Sequence, residues 1–134
     1  MDDSIVIMTP AEIYSINQQV LNERPFVRDR HLLRSAAARP YIVLFGEEQF
    51  PTLVDKAAAM LHSLAYHHLF ADDNKRTARL VVERFLMLNK HRITWTDEEA
   101  RAIVLQVAQG RYDVEQVAEI IATYIIEDHS PNGL

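Results

Sequence analysis

Residues 68–79 read His68-Leu69-Phe70-Ala71-Asp72-Asp73-Asn74-Lys75-Arg76-Thr77-Ala78-Arg79, which brings a base, an acid, an amide and three cations into one short stretch. Such a set suits phosphate: cations and amide donors offset its charge, and an imidazole can move a proton beside it. Apolar spacing ahead of the stretch predicts a helix over Leu53 to Leu69, and spacing behind it predicts another over Arg76 to Leu88, so the cluster falls at a helix-to-helix turn. Asn74 is expected to cap the second helix. The amides of Lys75, Arg76 and Thr77 would then lack partners within the helix and face outward at the positive end of its dipole, where an anion binds readily. Lys75, Arg76 and Arg79 add full charges to that site.

Working outward, only three glycines are present, at Gly46, Gly110 and Gly133, and apolar residues recur at spacings of three and four. That combination predicts a mainly helical chain and excludes a glycine-rich nucleotide loop. Thr9-Pro10-Ala11-Glu12 is a capping box with proline at the first helical position, opening a helix through Ile13, Ile16 and Val20 that ends near Asn22. Asp29 can cap a short helix that Pro40 stops. Tyr41 to Phe45 is β-prone and is followed by Gly46 and polar residues, which predicts a strand or hairpin. Thr52 opens the long helix before the cluster, with Leu53, Ala57, Met60, Leu61, Leu64 and Ala65 inward, and the next helix turns Leu80, Val81, Phe85 and Leu88 inward. Thr96-Asp97-Glu98-Glu99 is a second capping box, and Gly110 ends its helix. Asp113 caps a last helix expected to reach Glu127.

At 134 residues and 49% hydrophobic, the chain is expected to form one domain, residues 1–134, around one core. The net charge of -5 argues against general nucleic-acid binding, although the basic residues gather near the cluster. With no cysteine, disulfides, thiolate metal sites and a cysteine nucleophile are excluded. The start is acidic and its apolar part is too short for a signal peptide, and no apolar run nears the roughly 18 residues of a membrane span. The expectation is a soluble, cytoplasmic protein.

Within the cluster, His68 is the candidate general base, because an imidazole takes up a hydroxyl proton near neutrality. His67 is its neighbour, but the spacing to Phe70, Asp72 and Asn74 selects His68. Asp72 is a hard oxygen donor suited to Mg²⁺. Phe70 is expected to anchor the loop by burial, and Trp95 to be a packed aromatic. His31, His62, His91 and His129 lack comparable neighbours and are read as structural or solvated.

The pattern H-x-F-x-D-x-N-K-R-T-A resembles the signature of the Fic/Doc (Fido) family, in particular its Doc, or death-on-curing, toxin branch. The broader Fic pattern HPFxxGNGRxxR is matched at His68, Phe70, Asn74, Arg76 and Arg79, with Asp72 where the family's metal ligand falls. Leu69 replaces proline, as is ordinary in the Doc branch, while Asp73 and Lys75 stand where Fic enzymes carry glycines. The resemblance extends from Thr9 through Arg28 to Leu33 and Ala38-Arg39-Pro40, to about Glu127.

This resemblance implies an all-α fold, a compact helical bundle with a short β-hairpin flap. It implies ATP as substrate and Mg²⁺ at Asp72, with Asn74, Lys75, Arg76 and Arg79 on the phosphates and His68 on the acceptor hydroxyl. In the family, glycines at positions 73 and 75 let the α-phosphate lie at the histidine for AMP transfer, whereas a lysine at 75 resembles the Doc arrangement, which transfers the γ-phosphate. The target implied is a translation elongation factor, elongation factor Tu above all, aligned by the flap residues Tyr41, Ile42, Val43 and Leu44. A Phd-like antitoxin is the implied restraint. AMP transfer to a protein hydroxyl and a catalytically silent nucleotide-binding module are the alternatives. Thr123 to Glu127 loosely resembles the family's internal inhibitory pattern, but Asp128 stands where glycine or asparagine is usual, and the stretch is read as plain helix.

Overall fold

The computed structural model describes residues 4–129. Six helices form α1 (Pro10–Leu21), α2 (Arg30–Ala38), α3 (Leu53–Tyr66), α4 (Asn74–Leu88), α5 (Asp97–Ala108) and α6 (Val114–Tyr124). A 3-10 turn, Arg39–Tyr41, continues α2. Two antiparallel ladders complete the described chain: β1 (Val43–Leu44) with β2 (Glu47–Glu48), and β3 (His91–Ile93) with β4 (Ile125–Glu127).

Helix α3 is the axle of the bundle. Its Ala57, Ala58, Ala59, Met60 and Leu61 are all fully buried, so it is apolar around its circumference, and α4, α5, α6 and α2 pack around it. Small alanines let those neighbours approach closely, and Phe85, Leu86, Val107 and Ile121 fill the space between. On α4 the inward face is Ala78, Val81, Val82, Phe85 and Leu86, while Leu80 and Leu88, expected inward, are half-buried at the edges of that stripe.

The predicted capping boxes at Thr9 and Thr96 form, and Thr52 with Asp55 and Asp113 with Gln116 form two more. Asp29 caps α2 by accepting the Leu32 N–H. Pro40 does end the α-helix, though the backbone keeps turning as 3-10 geometry.

Two boundaries differ from expectation. Helix α3 stops at Tyr66, three residues before Leu69, because His67 turns extended (φ -93°, ψ 129°) and the Leu69 carbonyl is taken by a distant segment. The last helix stops at Tyr124 instead of Glu127. Ile125 to Glu127 become β4, since their backbone pairs with His91 to Ile93, and the Tyr124 carbonyl accepts both the N–H and the hydroxyl of Thr94.

The hairpin at 43–48 turns through Phe45 (φ 52°) and Gly46 (φ 78°), a pair of left-handed residues that matches the twist of a two-residue hairpin. Val43 and Leu44 are exposed and Phe45 is wholly so. Tyr41, grouped with the hairpin from sequence, lies in the 3-10 turn instead. It is half-buried, and its hydroxyl accepts the Met8 N–H at 3.3 Å.

Candidate active site

The loop between α3 and α4 is held from both sides. Leu69 and Phe70 are 0% and 1% exposed, and their backbone pairs with residues 26–29. Arg28 N–H donates to Leu69 O at 2.7 Å, and Ala71 N–H donates to Phe26 O at 2.9 Å. His68 lies just before these two buried anchors' shared ladder and is itself exposed. His67, by contrast, is half-buried and meets the Tyr66 ring edge-on at 5.3 Å.

Asn74 is the first residue of α4, and not its cap. Its Oδ1 accepts the Phe70 N–H at 3.0 Å and its Nδ2 donates to the Phe70 carbonyl at 2.9 Å, a reciprocal ring that closes the 70–74 turn. A side chain so engaged cannot reach forward to cap. The N-cap is Asp73, in the left-handed region at φ 57°, ψ 36°, with no side-chain cap bond. Five of the six described helices have a side-chain cap at the N-terminus, and α4 has none. Thr77 N–H donates to Asp73 O at 3.0 Å, so the amides left without an intrahelical partner are those of Asn74, Lys75 and Arg76, one residue earlier than expected.

A second support, Asn17, comes from α1. It is fully buried, and its Nδ2 donates to the Asp72 carbonyl at 3.2 Å and to Thr77 Oγ1 at 2.9 Å. Sequence reading passed over it. The signal was present, since Asn17 occupies the i+4 position after Ile13 on the apolar stripe of α1.

These elements open onto a cleft of about 950 Å³ whose polar rim includes His68, Asp72, Lys75, Arg76, Arg79 and Asp97. Leu80, Ala100, Val104 and Leu105 give it an apolar wall. Lys75 and Arg76 are exposed and make no ion pair among the described residues. Arg79 differs. It donates to Glu83 Oε2 at 3.0 Å and to Asp97 Oδ1 at 2.5 Å, tying α4 to the first turn of α5. Partial burial pulls its pKa down, but the hydrogen bonds to Asp97 and Glu83 outweigh that and hold it above the ordinary arginine value. Asp97 responds in the opposite direction: the Arg79 hydrogen bond, with help from Arg101, keeps its carboxyl below the usual range. Glu83 also accepts Trp95 Nε1–H at 2.8 Å, so the buried tryptophan steadies the acid that steadies Arg79.

Asp72 is exposed, and one of its oxygens accepts the Asp73 N–H at 2.8 Å. The second oxygen is available to a cation. Among the described residues no group of three or more His, Asp or Glu side chains could cage a metal. Asp72 borders the cleft that Lys75 and Arg76 also line, and a single carboxylate donor fits Mg²⁺, which commonly takes one or two protein carboxylates and completes its shell with phosphate oxygens and water.

The hairpin is anchored beneath by Lys56 of α3, only 3% exposed, whose Nζ donates to Glu48 Oε1 at 3.1 Å and to the Phe50 carbonyl. Of the remaining histidines, His62 stacks on Tyr66 at 5.5 Å, and burial followed by the charge of Arg39 lowers its pKa. His91 Nδ1 lies 2.7 Å from the Asn89 carbonyl and His129 Nε2 lies 3.2 Å from Glu127.

An exposed histidine, an uncapped helix start and a closed asparagine turn thus meet on one cleft of the helical bundle. The model of the Fic/DOC family matches residues 7–86, and the chain belongs to that family. It is 37% identical over 100 residues to Toxin Doc of Mycolicibacterium smegmatis, a match covering 73% of this chain and 77% of that protein. No helix among the described residues is long and apolar enough to cross a membrane.

Proposed function

We propose that this protein is a Doc-like toxin that transfers the γ-phosphate of ATP to a hydroxyl of a translation elongation factor, with elongation factor Tu as the expected target, and thereby arrests translation. The observation that carries the proposal is the shared cleft of exposed His68, the open amides at the start of α4 and the unpaired cations Lys75 and Arg76. Membership of the Fic/DOC family and similarity to a protein named Toxin Doc support the same reading.

Phosphoryl transfer asks a protein mainly for positioning and charge neutralisation. The amides of Asn74, Lys75 and Arg76 would hold the polyphosphate, and the side chains of Lys75 and Arg76 would offset its charge. Mg²⁺ at Asp72 would neutralise phosphate oxygens. His68 would accept the target's hydroxyl proton as the new O–P bond forms and the bond to the ADP oxygen breaks. Arg79 serves this arrangement differently from Lys75 and Arg76, since its guanidinium is already shared with Glu83 and Asp97. The exposed edge of Ile42, Val43 and Leu44 would pair with the target chain by strand addition.

AMP transfer is the second reading. It draws on Asp73, whose left-handed backbone keeps the path that a glycine would take at that position. Incubation with ATP labelled separately at the α and γ positions tests both. Label from the γ position on the elongation factor is expected, label from the α position selects AMP transfer, and binding without either leaves a nucleotide-binding module. A Phd-like antitoxin, encoded nearby, is the expected partner, so expression alone should arrest growth and co-expression should restore it.

A further inference from the structure

A second cleft, of about 640 Å³, lies between α1, the 24–27 segment and α2, and no step above uses it. Its charged lining is Arg24, Arg30 and Arg34, and no carboxylate lines it. Tyr14, Pro25 and Phe26 provide the apolar surface. The chain as a whole carries a net charge of -5, so an acid-free basic cleft is a local departure. Moreover, none of these three arginines makes an ion pair among the described residues, whereas Arg79, Arg92 and Arg101 all do. Phe26 is 68% exposed, a large aromatic held in water beside them. Unpaired cations around an exposed ring are the pattern of a surface completed by a partner, in which arginine and aromatic side chains carry most of the contact energy.

The cleft is also wired to the loop that carries His68. Phe26 accepts the Ala71 N–H through its carbonyl, Val27 bridges Phe70, and the next residue, Arg28, donates to Leu69. An occupant that orders Phe26 therefore orders the backbone on which His68 sits.

We propose that this cleft docks an acidic segment of a protein partner, with carboxylates meeting Arg24, Arg30 and Arg34 and an apolar side chain covering Phe26. A carboxylate pairs with an arginine fork in two parallel bonds. Single-stranded nucleic acid could also stack on an aromatic, but a long polyanion would meet the repulsion of the net negative chain, and three arginines offer it few phosphate contacts.

The test measures binding alone, so its failure is distinct from failure of the transferase reading. The full chain is titrated into a fluorescein-labelled amphipathic peptide with glutamate on one face and leucine and tryptophan on the other. A peptide with glutamine for each glutamate and labelled polyuridylate are run beside it. The acidic peptide should bind, salt should weaken it, and Arg30→Glu with Arg34→Glu, or Phe26→Ser alone, should each weaken it by about tenfold or more while leaving the thermal melt in place. Hydrogen exchange at the Ala71 amide should slow when the peptide is bound. No binding by the acidic peptide, equal binding by the glutamine peptide, indifference to the arginine and phenylalanine changes, or tighter binding by polyuridylate would each overturn the proposal.

Discussion

Asn17 Nδ2 on α1 stands 2.9 Å from Thr77 Oγ1 on α4, and the same nitrogen donates to the carbonyl of Asp72, so one buried amide joins the first helix to both sides of the helix start that faces the cleft. Its Oδ1 has no protein partner among the described residues, so the side chain holds its place by its donor alone. Asn17→Ala should destabilise the fold by about 1–3 kcal/mol, since a buried donor network is lost and a small void opens. Urea midpoints measure the loss. A midpoint matching the parent would show that Asn17 holds nothing.

His68→Ala should lower transfer by about 10²- to 10⁴-fold, the usual range for a general base, while nucleotide binding persists because no phosphate contact is removed. The rate of γ-label transfer and a separate nucleotide titration check the two halves. Retained transfer in His68→Ala, or its loss in His67→Ala alone, would move the base elsewhere.

Asp97 gives a pH signature. Arg79 depresses its carboxyl in the folded chain, so the Arg79–Asp97 link contributes stability above the unfolded carboxylate pKa of about 3.9 and loses that contribution as pH falls through the lower folded value. In Asp97→Asn the melting temperature should therefore fall below the parent's near neutrality, and the two should converge on acidification. High salt should narrow the gap, because the carboxylate is exposed. Curves that stay parallel at every pH would refute the link.

Gly110 stands at φ 76°, and a Cβ there would lie 3.0 Å from Tyr66 Cε1. Gly110→Ala combines a left-handed backbone with that contact and should cost about 1–2 kcal/mol. A thermal melt checks it, and an unchanged melt would mean that the turn after α5 relaxes freely.

Local signals in the sequence carried far because helix starts are local chemistry. Thr9 with Glu12 and Thr96 with Glu99 are read directly from residues three apart. The motif spacing likewise singled out His68, which the fold places exposed on the cleft while His67 turns toward Tyr66. What stayed hidden depends on residues far apart in the chain. Helix α3 stops early because Leu69 is claimed by Arg28, and Ile125 leaves helical geometry because Ile93 pairs with it. Asn74 looked like a cap by residue type, and only its two bonds to Phe70 show otherwise. Lys56 looked like a surface lysine, yet Glu48 and the Phe50 carbonyl draw it inside.

The bare start of α4 has a consequence for anyone seeking a hardier version of this protein. Every other described helix has already collected the gain that a side-chain cap supplies, typically about 1 kcal/mol, so α4 is the obvious place left to add one. Yet Asp73 already stands there, a residue type that caps well; its left-handed backbone (φ 57°, ψ 36°) lies outside the extended region from which a cap side chain reaches the N2 or N3 amide, so the backbone and not the residue type leaves the end bare. Under the proposed function, restoring an extended, capped residue at that end would occupy one of the three amides assigned to the polyphosphate, so a gain in robustness there would be expected to cost ligand affinity.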